Sequence, residues 1–143
     1  MIVELESKLM PELLKSYKVL HHDEYPIVFY GKNFEGGNII GSFIFEDEET
    51  DTLLFFVCEV TKHTLLEFLR KDISYRYVMI NATKISIVTT DYFYHIENKK
   101  TIQYADIEAD MLPSHSSFCP IDVQGYTEGY INPPLNMLSA AEP

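Results

Sequence analysis

Basic residues are scarce in this sequence, and tryptophan is absent from it. The 143 residues include 11 Lys plus Arg against 22 Asp plus Glu, which gives a formal net charge of -11. Nucleic acids and anionic membranes attract Lys and Arg, so this balance argues against direct binding to either. A basic partner protein, or a surface that resembles a polyanionic nucleic acid, is compatible with the charge, although an acidic surface more often serves solubility alone.

Cysteine and long apolar runs are also scarce. The two cysteines are Cys58 and Cys119, and Cys58 lies in the apolar run 53–58, where a small buried hydrophobe is its natural role. This usage suggests a reducing compartment. The N-terminus carries acid early and lacks a charged-then-apolar signal pattern, and no stretch approaches the roughly 18 apolar residues of a membrane span. We therefore expect a cytoplasmic protein with no membrane partner.

The composition predicts one core-forming domain and a distinct tail. Hydrophobic residues make up 46% of the chain and aromatic residues 13%, enough for an independent core. Residues 111–143 differ, because they hold five of the seven prolines and no Lys or Arg. Proline disfavours helices and central strands. We predict a single α+β domain over residues 1–110 and a Pro-rich, apolar and aromatic tail over residues 111–143, packed on the body or on a partner.

Four stretches rich in β-branched and aromatic residues predict an antiparallel meander of about four strands. A turn is expected at residues 35–38, where the adjacent Gly36 and Gly37 accept positive φ. The acidic residues 46–51 interrupt the apolar pattern and predict another antiparallel connection. The predicted strands cover residues 17–20, 27–30, 39–46 and 52–59.

Helices and a further hairpin complete the predicted fold. Thr61 is suited to cap a helix over residues 62–71, and Ser74 to cap a second, short helix. Residues 85–89 and 92–96 read as a hairpin, and residues 10–16 as a short opening helix with Pro11 in its first turn. The expected class is α+β, with a meander of about four strands, one or two helices, a further hairpin and the Pro-rich tail.

Three short motifs between residues 20 and 96 carry a resemblance to a known family: Asp23-Glu24-Tyr25-Pro26-Ile27-Val28-Phe29, Gly37-Asn38 and Ile73-Ser74-Tyr75-Arg76. Through them, residues 20–96 resemble an uncharacterised bacterial domain-of-unknown-function family. The resemblance implies a sheet followed by helices, and it implies no activity, because no catalytic residues are established for that family.

Motifs for catalysis or for a cofactor are not evident, and we predict no catalytic, cofactor-binding or metal-binding residues. His21 and His22 are adjacent, but neighbouring side chains on a strand point to opposite faces and do not easily share one ion. No Gly-x-Ser-x-Gly elbow or Walker motif is present, and the glycines suggest turns or bulges. An enzyme whose site is assembled from distant residues is therefore the third-ranked hypothesis.

The leading hypothesis is a non-enzymatic protein-interaction module or regulatory subunit. The tail offers extended, apolar anchors for a groove or a sheet edge on a partner. The same aromatic residues could instead pack on their own sheet, and an uncovered edge of that sheet would allow self-association. The predicted partner-binding residues are Phe118, Tyr126, Tyr130 and Leu135.

The second hypothesis is an acidic inhibitor that occupies a basic nucleic-acid-binding site on its target. Such binding would weaken steeply with salt and would depend on two acidic segments. If residues 106–110 are extended, their alternating acids line one face. The predicted acidic surface consists of Glu46, Asp47, Glu48, Glu49, Asp51, Asp106, Glu108 and Asp110.

Overall fold

A six-stranded antiparallel sheet forms the body of the protein. The computed structural model describes residues 8–121, and the strands neighbour one another in chain order, with two helices between the fourth strand and the fifth. The strands are β1 Leu14–His22, β2 Pro26–Asn33, β3 Asn38–Asp47, β4 Thr52–Val60, β5 Lys84–Thr90 and β6 Ile96–Ile102. This arrangement is α+β, as expected, but the predicted number of about four strands was wrong.

The extra strands come from the predicted further hairpin, which joins the same sheet. β5 pairs along β4 from Lys84 to Thr90, and β6 then pairs along β5. The second strand of the hairpin begins at Ile96, where the sequence prediction had it end. Residues 91–95 are a turn, because the Asp91 carboxylate accepts the backbone N–H groups of Phe93 and His95 at 2.9 and 3.0 Å.

The predicted opening helix is absent from the described residues, where residues 9–13 form a turn before β1. Met10 has a φ of 45°, outside the right-handed helical region. Its N–H donates to the Tyr94 carbonyl at 3.0 Å, while its own carbonyl accepts from Leu13 and Leu14. These contacts fix the segment to the β5–β6 turn instead of letting it wind into a helix.

The turn predicted at residues 35–38 lies between β2 and β3. The side-chain oxygen of Asn33 accepts the N–H groups of Glu35 and Gly37 at 3.1 and 2.7 Å, and Asn33 itself is buried. Gly36 has a φ of 85°, which a residue without a Cβ adopts freely. The Asn33 side chain and the backbone freedom of Gly36 therefore stabilise the turn locally.

Both helices begin at the predicted caps. Helix α1 spans Lys62–Leu69 and helix α2 spans Tyr75–Asn81. The Thr61 hydroxyl accepts the N–H of Thr64 at 3.2 Å, and the Ser74 hydroxyl accepts that of Tyr77 at the same distance. Each cap satisfies a backbone donor that the first helical turn leaves unpaired. No helix within residues 8–121 is long and apolar enough to cross a membrane.

The sheet carries an apolar layer on each face. Side chains of α1 and α2 cover one, which we call the helical face, and its buried residues include Tyr30, Ile40, Phe56, Cys58, Phe68, Tyr75 and Val78. The N-terminal turn and Tyr94 pack on the other, the opposite face, whose buried residues include Leu9, Met10, Phe29, Ile39, Phe55, Val57 and Val88.

Residues 103–121 run along the helical face without regular strand or long helix. Two 3-10 turns, Tyr104–Asp106 and Ala109–Met111, replace the extended backbone considered for the acidic residues 106–110. Further along, the Ser117 carbonyl accepts the N–H of Tyr75 at 2.7 Å, and Cys119 is 3% exposed. The first part of the predicted tail thus packs on the sheet and the helices.

Candidate binding groove

The pairing of β2 with β3 stops before β3 ends. The last pair is Val28 with Ser42, although β3 continues to Asp47 on its β4 side. A regular ladder would place Ile27 opposite Phe43 and then Pro26 opposite Ile44, and proline has no backbone N–H to donate. Within residues 8–121, the last five residues of β3 therefore have a paired strand on the β4 side alone.

A β-bulge in this part of β3 turns two consecutive apolar side chains to the helical face. Phe43 pairs with Phe55, but Phe45 pairs with Leu54, so the ladder gains one residue on β3. Ile44 packs against the core of the helical face, and Phe45 follows on the same side with 42% of its surface exposed. The bulge thereby leaves a large aromatic side chain partly in solvent.

A groove of about 390 Å³ lies between this end of β3 and the segment 110–113. It is open to solvent. Seven of its nine lining residues are apolar, the other two are Ser42 and Asp110, and Phe56 belongs to β4. The lining residues are Ser42, Phe43, Ile44, Phe45, Phe56, Asp110, Met111, Leu112 and Pro113.

Of the two predicted acidic segments, one supplies a lining residue of the groove and the other adjoins it in sequence. Residues 46–51 continue β3 directly beyond Phe45, and Asp110 belongs to the facing wall. Asp47 and Glu46 are partly exposed, and the Asp47 carboxylate accepts the N–H of Glu49 at 3.1 Å. The remaining acids of the predicted surface are exposed: Glu48, Glu49, Asp51, Asp106, Glu108 and Asp110.

Glu46 differs from the other acids because its carboxylate bonds two tyrosines. Tyr25 and Tyr92 donate their hydroxyls to it at 3.0 and 2.5 Å, and both rings lie about the same end of β3. Burial and the hydrogen bond to Glu46 raise the pKa of Tyr25 to about 12. The hydrogen bond to Glu46, and then burial, also raise the pKa of Tyr92. Both phenols therefore stay protonated at neutral pH and keep donating.

The predicted partner-binding residues lie in two regions of the chain. Phe118 is 45% exposed and sits between Ser117, which is bonded to α2, and the buried Cys119. It is not among the residues that line the groove. The other three, Tyr126, Tyr130 and Leu135, lie outside the described residues.

The groove carries little reactive chemistry. No histidine or cysteine lines it, and residues 8–121 hold no group of three His, Cys, Asp or Glu side chains suited to a metal ion. Cys58 and Cys119 are free and buried, and burial raises the pKa of the Cys58 thiol to about 12. His63 and His95 pair with the carboxylates of Glu67 and Asp91, each at 3.5 Å, on the surface. The groove is therefore suited to binding a ligand through apolar contacts and through the charge of Asp110.

Sequence reasoning missed the groove, although it identified the acids that flank it. The available signal was the run Phe43-Ile44-Phe45, in which strict alternation of apolar and polar residues fails just before the acidic turn. Such a run also fits a strand buried on both faces, so it does not reveal a bulge. The facing wall of the groove, including Met111 and Leu112, belongs to the predicted tail.

Comparisons of the chain with protein-family models, with curated proteins and with solved structures found no match. The fold and the groove define the chain as an α+β protein with an open groove of mixed apolar and acidic character. Its function is therefore inferred from these residues.

Proposed function

We propose that this protein is a non-enzymatic protein-interaction module that holds a segment of a partner protein in the groove beside β3. The observation that carries the proposal is the partly exposed Phe45 in an open groove, seven of whose nine lining residues are apolar. An apolar side chain exposed within a concave site is a candidate anchor, because burying it on association is favourable.

The size of the groove favours a few anchoring side chains over a whole helix or domain. Its volume of about 390 Å³ lies towards the lower end of the range for pockets that hold small ligands. Short segments that dock through one or two anchors depend on such pockets. In this proposal the C-terminal residues Phe118, Tyr126, Tyr130 and Leu135 add further anchors.

A peptide selection followed by affinity measurements tests the proposal. Peptides selected from a random displayed library on the full chain would be measured by fluorescence anisotropy against the wild type and Phe45→Ser. We expect Phe45→Ser to weaken binding at least about tenfold, because the variant loses an apolar anchor of the bound peptide. A tenfold change corresponds to about 1.4 kcal/mol of binding free energy. Equal affinity of the two proteins would overturn the proposal.

Phe34 supplies the matched control. It is 57% exposed and lies in the β2–β3 turn, at the opposite end of β3 from the groove. Phe34→Ser removes a similar exposed ring, so we expect it to leave the selected peptides bound with unchanged affinity. Loss of binding in both variants would indicate general adhesion to exposed rings, and would count against a specific groove.

An acidic inhibitor of a basic nucleic-acid-binding site is the second candidate. It is supported by the exposed acids of the β3–β4 turn, Glu48, Glu49 and Asp51, and by Asp110, an exposed acid that lines the groove. Binding to basic nucleic-acid-binding proteins would be measured at low and high salt, for the wild type and for Glu48→Gln/Glu49→Gln/Asp51→Asn. Steep salt dependence, loss in the triple variant and indifference to Phe45→Ser would favour this candidate.

A further inference from the structure

The end of β3 combines a groove with a stretch of unpaired strand. Beyond Ser42, its main chain has no strand partner on the β2 side within residues 8–121, although the Ser42 hydroxyl contacts the Phe43 carbonyl at 3.5 Å. A strand presents N–H and C=O groups towards each side in its own plane, so this stretch can pair with an added strand. Apolar side chains of such a strand would reach the groove beside Phe45.

Charge at the groove selects among the segments that could be added. Asp110 lines the groove. Asp47 is not a lining residue, but it lies two residues beyond Phe45 and on the same side of β3 by strand alternation. None of the nine lining residues is basic. Lys or Arg near the ends of a bound segment would therefore meet carboxylates, whereas Glu or Asp would meet like charge.

We propose that the occupant is an extended segment of another protein, with an apolar centre and Lys or Arg at its ends, which pairs with residues 43–47 of β3. This inference rests on the proposed function and specifies its partner. Main-chain hydrogen bonds supply the docking, the groove takes alternate apolar side chains, and the carboxylates select the charge of the flanks.

Three synthetic peptides of about ten residues test each part of the inference. The first has alternating Val and Phe at its centre and Lys at both ends, the second has Glu in place of Lys, and the third is the Lys peptide N-methylated at alternate central residues. Affinities for the full chain would be measured by fluorescence anisotropy. We expect the Lys peptide to bind at least about tenfold more tightly than either of the others, and added salt to narrow its advantage over the Glu peptide.

Asp110→Asn tests the role of charge at the groove itself. The carboxamide keeps the shape of the side chain and removes its charge, so the preference for Lys over Glu peptides should fall. Glu35→Gln is the matched control, because Glu35 is also exposed but lies in the β2–β3 turn, at the opposite end of β3 from the groove. If both variants lose the preference for the Lys peptide equally, the preference arises from the net charge of the chain. That result would overturn the inference that Asp110 selects the charge of the bound segment.

The outcomes separate this inference from the proposed function. If library peptides require Phe45 but the Lys and Glu peptides bind equally, the groove binds a partner and the charge assignment fails. If the N-methylated peptide binds as well as its parent, strand pairing fails. If the chain sediments as a dimer that Phe45→Ser dissociates, the occupant is a second copy, and the inference of a foreign basic segment is overturned.

Discussion

Glu46 is a single residue that ties together three parts of the fold. Its carboxylate in β3 receives hydrogen bonds from Tyr25, which follows β1, and from Tyr92, which follows β5. The Tyr25 ring packs on Phe43 at 5.4 Å and stacks on Tyr92 at 6.4 Å, measured between ring centroids. The opposite face of the sheet is thus held in place at the same end of β3 that lines the groove.

Glu46→Gln should lower the pKa of both tyrosines. The anion disfavours a neighbouring phenolate, so removing its charge makes deprotonation easier. The effect should be larger for Tyr92, whose pKa is raised chiefly by Glu46, than for Tyr25, whose pKa of about 12 owes most to burial. Titration of ring-labelled tyrosines by NMR measures both values. Glu48→Gln, an exposed neighbour, is the control, and unchanged tyrosine titration in Glu46→Gln would contradict the assigned hydrogen bonds.

Cys58 makes stability depend on pH in the alkaline range. Its thiol lies 3.5 Å from the Tyr75 hydroxyl in the core, and burial raises its pKa from 9.0 to about 12. Because the folded-state pKa is the higher one, its contribution is complete below about pH 9 and is lost as pH rises towards 12. Urea unfolding across this range should show a falling free energy, at a limiting slope of about 1.4 kcal/mol per pH unit from this group. Cys58→Ala should flatten the first part of the fall, and an unchanged slope would show that the thiol does not carry it.

Among the elements, β3 depends on a glycine under an aromatic ring. A Cβ on Gly41 would lie 2.1 Å from the ring of Phe29, which is fully buried on the neighbouring strand. Gly41→Ala should therefore destabilise the protein by about 1–3 kcal/mol through overpacking, as measured by urea unfolding. Adding Phe29→Leu should make the Gly41→Ala change less costly, because the two positions share one space. Strictly additive losses would contradict this contact.

The elements that the sequence predicted are those fixed by local chemistry. Thr61 and Ser74 cap helices because each hydroxyl reaches an N–H three residues later. The prediction of an opening helix was wrong because the Met10 N–H bonds to the Tyr94 carbonyl. These residues are 84 positions apart, so no local sequence pattern contains this contact. Similarly, Gly41 was assigned to a turn or bulge, whereas the structure uses it for close packing within a strand. Contacts between distant segments decided each failure.

At the scale of the whole molecule, the sequence shows the acidic residues near the candidate site but does not show the groove. The acids around Asp47 and Asp110 stand out in the sequence as two separate segments. Only the folded chain brings them to one groove, because residues 110–113 pass the bulged end of β3. A bulge and a missing ladder partner leave no distinct mark in composition, so Phe45 looked like an ordinary strand residue.

The segment 111–121 is part of the packed molecule, and its removal should destabilise the body. Met111, Leu112 and Ile121 pack against the helical-face core, and the Ser117 carbonyl bonds the first N–H of α2. Burial of this much apolar surface contributes on the order of 3–6 kcal/mol. A chain that ends at residue 110 should accordingly lose that much unfolding free energy relative to one that ends at residue 121, as measured by urea denaturation. The comparison isolates these eleven residues, since both chains lack everything beyond them. Equal stability of the two chains would mean that the segment rests on the core without supporting it, and that the groove's outer wall is detachable.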